Sequence, residues 1–181
     1  MAARRHWLLR PGVGRVPQAA APDIRDRSYR ITAQVEVPAG GAEGVLVAQG
    51  DWCGGYALYV QHGHLVHDYN YVNQHFVVRS DRPVPEGPCE LGYEMHKTGD
   101  YQGRGTLFIN GKPCGTIELP RTYRAQASFI GLEIGRAPKP SVGQFDAPFA
   151  FTGRLVQVQF ELADDQVVDS RSALRAALGR Q

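Results

Sequence analysis

The sequence predicts an all-β fold, an antiparallel two-sheet β-sandwich with a short C-terminal helix, and three observations predict it. Apolar and polar residues alternate with period 2 in about ten short runs, the pattern of half-buried strands. Turn formers are frequent, with 21 Gly and 12 Pro, and His62-Gly63 and Asn110-Gly111 each stand between two alternating runs. Long helix-period runs between the strands are missing, which excludes βαβ alternation and a parallel sheet. A chain of 181 residues can bury a core within one domain. The sandwich is expected over 29–162, with an N-terminal arm (1–28) before it and a tail (163–181) after it.

Residues 1–28 are rich in Arg, Pro, Ala and Gly and read as an extended arm with one strand-like piece near Trp7–Arg10. Tyr29–Val37 sets Ile31, Ala33, Val35 and Val37 against Thr32, Gln34 and Glu36, and stops at the turn PAGGAEG. Val45–Gln49 is a short apolar strand. A hairpin follows, Tyr56–Val60 and Leu65–Tyr69, in which Gly63 supplies the positive φ of a two-residue turn. Pairing Gln61 with His64 puts Leu58 opposite His67 and Ala57 opposite Asp68. Phe76–Arg79 is closed by DRPVPEGP, whose three prolines should preclude regular pairing.

Glu90–His96 places Leu91, Tyr93 and Met95 on one face and Gly92, Glu94 and His96 on the other. Thr106–Ile109 leads into Asn110-Gly111, the strongest hairpin signal in the chain, and the return strand runs from Lys112 to about Leu119. One strand, Ser128–Ile134, is expected before a Pro/Gly-rich loop through Pro148. Phe151–Leu162 is the last strand, with Val156, Val158 and Phe160 inward. Asp169 or Ser170 can N-cap a helix, Arg171–Leu178, that Gly179 stops.

Composition excludes several function classes. Lys+Arg 20 against Asp+Glu 18 leaves a net charge of +2, and the arginines are scattered, so no nucleic-acid footprint is present. Cys53, Cys89 and Cys114 are odd in number and lack CxxC-type spacing, which argues against a disulfide framework or zinc site and for buried or semi-buried thiols. The N-terminus has only a three-residue apolar run before Arg10, and no stretch approaches the roughly 18 apolar residues of a membrane span. A cytoplasmic protein without membrane contact is therefore expected. Nucleotide-binding glycine motifs and a GxSxG elbow are absent, so no cofactor is expected.

The hairpin carries the sharpest chemical signal. His67 and Asp68 sit mid-strand among Val, Leu and Tyr, where an imidazole or a carboxylate must find a partner. Alternation puts His67 with Leu58, Val60, Leu65 and Tyr69, and Asp68 with Tyr59, Val66 and Asn70. Asp68 beside hydroxyl and amide donors suits a general base, or a hydrogen-bond knot that fixes the hairpin. Glu94 and His96 share a face and suit an acid–base pair, or a solvated strand surface. Trp52, Tyr56, Tyr69 and Tyr71 offer an aromatic wall for a flat or apolar ligand, or ordinary sandwich packing. His62, His64 and His67 have the wrong alternation for a metal site.

The runs RPGVGRVPQAAAPDIRDRSYRITAQVEVPAGGAEGVLVAQG, GGYALYVQHGHLVHDYNY, GRGTLFINGK and FAFTGRLVQVQF make the chain similar to the C-terminal accessory domain of large bacterial arylsulfatases. The resemblance covers roughly residues 8–162 and implies a concanavalin A-like jelly roll. None of the three cysteines lies in the C/S-x-P-x-R setting of the sulfatase nucleophile, so the resemblance implies an accessory domain standing alone. Asp51, Trp52 and Cys53 stand where that domain has a glycine, a basic residue and an aromatic. His67-Asp68 replace an aromatic–aliphatic pair, and His75 sits in a shortened loop.

Two functional expectations follow. In the first, the domain has become a cofactor-free enzyme acting on a hydrophobic small molecule by cyclisation, isomerisation or dehydration. Its catalytic groups would be His67, Asp68, Glu94 and His96, and its substrate would meet Asp51, Trp52, Tyr56, Tyr59, Tyr69, Asn70, Tyr71 and His75. In the second, the chain is a non-catalytic module that binds carbohydrate or protein, or dimerises. Geometry separates them: an enzyme needs acid–base groups converging with aromatics on one pocket.

Overall fold

The computed structural model describes residues 4–124, 130–137 and 141–167. Among these, eleven strands run in chain order: β1 (His6–Leu9), β2 (Tyr29–Val37), β3 (Gly44–Asp51), β4 (Gly54–Gln61), β5 (His64–Tyr71), β6 (Gln74–Arg79), β7 (Gly87–Gly99), β8 (Gln102–Ile109), β9 (Lys112–Leu119), β10 (Leu132–Ile134) and β11 (Arg154–Leu162). They form a six-stranded sheet, β1-β11-β2-β7-β8-β9, and a five-stranded sheet, β10-β3-β4-β5-β6, antiparallel throughout. The C-terminal helix expected over 171–178 lies outside the described residues.

The β4–β5 hairpin takes the register that its turn dictates, whereas in β8–β9 a bulge between Leu107 and Phe108 shifts it two pairs from the turn. Asn110 (φ 50°) and Gly111 (φ 73°), like His62 (φ 51°) and Gly63 (φ 72°), have the paired positive φ of a type I′ turn. Gln61 pairs with His64, and Leu58 and Ala57 then face His67 and Asp68. The arm is tied to the sandwich at both ends. β1 pairs with β11, and Trp7 is buried with its indole donating to Ala20 O at 3.3 Å. Val16 bridges Leu132.

Ile31, Leu91, Tyr93, Leu107 and Phe160 of one sheet meet Leu46, Leu58, Val60 and Leu65 of the other in the core. Each such aliphatic side chain contributes about 1.5–3 kcal/mol by burial. β2 alternates buried and open residues, whereas β4 and β5 are buried at nearly every position. The reason is a second apolar layer. Ala137, Val142, Phe145 and Phe149 cover Val45, Ala48, Ala57, Tyr59 and Val66 on the outer face of the five-stranded sheet. β5 is thus enclosed on both faces.

Four expectations need correction. Val156 is not inward: a bulge between Leu155 and Gln157 shifts the register, so Leu155 is buried and Val156 is 37% exposed. β11 begins at Arg154, not Phe151. Pro88 does enter the ladder, opposite Glu36, but there β7 has a neighbour on one side only, because pairing with β8 starts at Leu91. The strand expected over Ser128–Ile134 is confined to Leu132–Ile134 among the described residues, and 125–129 lie outside them.

Candidate functional site

Alternation along β5 separates the two candidate residues that stand side by side in sequence. His67 points between the sheets and is fully buried. Its ring lies on Tyr93 with centroids 3.5 Å apart, and Tyr56 follows at 6.3 Å. Neither ring nitrogen has a hydrogen-bond partner on the protein. Burial lowers its pKa to about 3, so the imidazole is neutral at ordinary pH. The phenols around it, Tyr29, Tyr56, Tyr69 and Tyr93, are pushed up, burial being the main cause.

Asp68 points the other way, under the segment 141–149. It is fully buried, and His75 Nδ1 lies 2.8 and 2.9 Å from its two oxygens. The Gln144 amide donates to Oδ2 at 2.9 Å. Burial raises the pKa of Asp68, while the bonds from His75 and Gln144 oppose the rise. Tyr59 is pushed up by burial and then by the Asp68 charge, and it packs edge-on against Phe145 at 4.9 Å. Two residues on, Asn70 gathers three carbonyls around one amide: Asp51 O at 3.4 Å, Trp52 O at 3.0 Å and Val142 O at 3.1 Å. Asp51 in turn accepts from the Cys53 amide at 2.8 Å. Asp68, Asn70 and His75 therefore bind the covering segment and the β3–β4 turn to β5 and β6.

The end of the sheet beside them is aromatic and open. Trp52, in the β3–β4 turn, is 61% exposed, and Val72, in the β5–β6 turn, is 68% exposed. Val72 has φ 51°, a strained conformation for a β-branched residue. Tyr123 is fastened to the end of β5 and to the β5–β6 turn. Its hydroxyl accepts from the Val72 amide at 2.9 Å and donates to Asn70 O, its amide donates to Tyr69 OH at 3.0 Å, and its ring stacks on Tyr71 at 4.9 Å. Arg121 lies 5.7 Å over the Tyr71 ring. Sequence reasoning missed Tyr123 and Arg121, because they lie beyond β9 in a stretch with no periodic pattern to give them a face.

Glu94 and His96 are elsewhere. They lie on the solvated face of the six-stranded sheet, where Glu94 is 3.6 Å from Arg30 and His96 is exposed. The four acid–base candidates thus occupy three separate surfaces: His67 the core, Asp68 the covered outer face, Glu94 and His96 the far side. Of the expected ligand contacts, Tyr56 and Tyr69 are core residues, Tyr59 lies under the covering segment, and Trp52, Tyr71 and part of His75 reach the open end. His64 is held 2.8 Å from Ser80 O. Among the described residues, no three His, Cys, Asp or Glu side chains group to hold a metal ion. Cys89 and Cys114 are buried and Cys53 is semi-buried, all as free thiols.

No protein-family model matches the chain, and no curated protein matches it in sequence. Solved structures match it in fold. The LG4-5 domains of the mouse laminin α1 chain align over 90% of this chain and 40% of their own, at 10% identity and a TM-score of 0.51. The receptor binding domain of a botulinum neurotoxin of mosaic serotype C/D aligns over 83% of this chain and 36% of its own, at 6% identity and a TM-score of 0.50. The chain spans about two fifths of the length of these structures. The fold is a jelly-roll β-sandwich of the concanavalin A-like kind.

Proposed function

We propose that this chain is a non-catalytic recognition module whose binding edge is the open aromatic end around Trp52, Tyr71, Val72 and Tyr123, and that its ligand is a carbohydrate. The dispersal of the acid–base groups carries the reading. His67, Asp68 and the Glu94–His96 pair lie on three surfaces, so no pocket gathers them with aromatics as acid–base catalysis needs. An exposed indole, by contrast, gives a flat apolar plate for the C–H face of a sugar ring, and Arg121 and the turn backbone supply polar groups for its hydroxyls. Val72 in a strained backbone conformation at the same edge supports a functional rather than structural turn.

A likeness in fold points the same way. One of the fold relatives is a receptor binding domain.

The test is a glycan array followed by calorimetric titration of the oligosaccharides retained. Saturable binding by the parent, weakened at least about ten-fold in Trp52→Ala at unchanged melting temperature, is the expected result. No glycan retained, or affinity indifferent to Trp52, would overturn the carbohydrate reading. Chemical conversion of a bound small molecule would restore the enzyme.

A further inference from the structure

The densest group of unmatched polar atoms lies in the core, away from the proposed binding edge. His67 Nδ1 and Nε2 and the hydroxyls of Tyr29, Tyr56, Tyr93 and Thr122 are buried with no hydrogen-bond partner on the protein. Buried polar groups are satisfied in roughly nine cases in ten, so such a concentration in one place calls for a common partner. The rings are contiguous: His67 on Tyr93 at 3.5 Å, Tyr93 to Tyr29 at 6.1 Å, Tyr56 to His67 at 6.3 Å.

Two members of the cluster border a cleft. Tyr29 and Thr122 also line a cleft of about 10 Å³ together with Tyr69, Met95, Asp26 and Lys97. That volume suits a molecule the size of water, which needs two to four polar partners and occurs in protein interiors at roughly one per 27 residues. Asp26 and Lys97 are paired at 2.9 Å, and Arg27, which also lines the cleft, donates to the Ala163 carbonyl at 3.1 Å.

We infer that His67 and the Tyr29, Tyr56, Tyr93 and Thr122 hydroxyls form an internal hydrated site, fed through the Asp26–Lys97 cleft. Water there bridges the phenols to the imidazole and gives the sandwich core a route for proton exchange with solvent. The site does not depend on the carbohydrate reading, because none of its residues belongs to the Trp52 edge.

The experiment is a crystal structure of the full chain at a resolution that shows ordered solvent, with melting curves of the parent and of Tyr29→Phe. Expected are solvent peaks at about 2.7–3.2 Å from the Tyr29 hydroxyl or a His67 nitrogen. Removing a hydroxyl that holds such a water should lower the melting temperature by about 2–4 °C. In a dry core the same substitution removes an unsatisfied group and leaves the protein at least as stable. Absence of those peaks, or a Phe variant that melts no lower than the parent, would overturn the inference.

Discussion

His67 of β5 lies flat on Tyr93 of β7 across the gap between the two sheets, with ring planes 5° apart. An imidazole packed against a phenol face, without a partner on the protein for either nitrogen, is tolerated only while neutral. That restriction makes the sandwich sensitive to acid. Burial holds the folded pKa at about 3, below the 6.5 of a free imidazole, so the unfolded chain takes up a proton that the folded chain refuses.

Stability is therefore full above about pH 6.5 and falls as the pH drops toward 3, by up to roughly 4–5 kcal/mol from this group alone. Asp68 works in the opposite sense. Burial raises its pKa, so its contribution is present below the ordinary carboxylate value and declines as the pH rises through the folded value. Comparing parent and variant isolates the imidazole: His67→Phe should lose several degrees less melting temperature than the parent between pH 7 and pH 4.5. Parallel curves would show that the native imidazole already binds a proton.

The Asp68–His75 contact makes a separate, local prediction. One carboxylate accepts from His75 and from the Gln144 amide, and it is this carboxylate that holds segment 141–149 down on the sheet. Asp68→Asn keeps the shape and removes the charge, at a cost of about 1.5–3 kcal/mol for the charge-assisted bonds. Amide exchange at Gln144 should accelerate in Asp68→Asn while the β2–β7 ladder, in the other sheet, stays protected. Uniform acceleration everywhere would instead mean that Asp68 supports the whole fold and not the segment.

Much of this architecture was legible in the sequence, and the illegible part has a common cause. His62-Gly63 and Asn110-Gly111 specify their turns through backbone conformation alone, so the register of the β4–β5 hairpin followed, and with it the opposite facing of His67 and Asp68, whereas the bulge at Leu107–Phe108 in the other hairpin left no mark in the sequence. What covers each face could not be read. Segment 141–149 has no period, yet it turns the outer face of β5 into an interior and makes Asp68 a buried residue. Tyr123 became central only because β9 delivers it to the end of the other sheet. Val156 was misplaced by one bulge, a single-residue event that leaves no mark on an alternating pattern.

Glu94 and His96 supply a negative test. They stand on a face already laced with exposed ion pairs, Arg30–Glu94, Arg104–Glu118 and Arg154–Glu36, which contribute little in water. Glu94→Gln combined with His96→Gln should move the melting temperature by no more than about 1–2 °C and leave ligand affinity unchanged. A marked loss of binding would relocate the functional surface to the six-stranded sheet.

Gly105 of β8 gives the most exacting test of the core. A Cβ there would lie 2.3 Å from the Tyr93 hydroxyl and 2.7 Å from Cε2, well inside contact distance. Tyr93 has little room to yield, since His67 covers its face and Tyr29 stands 6.1 Å away. Overpacking of this kind destabilises by about 1–3 kcal/mol, so Gly105→Ala should lower the melting temperature by roughly 3–10 °C. Gly99→Ala is the control, because its Cβ would meet only the end of the Gln102 side chain at 3.4 Å. Since the nearest atom to Gly105 is the hydroxyl, adding Tyr93→Phe to Gly105→Ala should recover part of the loss, a non-additivity that a thermal-unfolding double-mutant cycle measures directly. Strict additivity would mean that the ring and not its hydroxyl sets the clearance between β7 and β8.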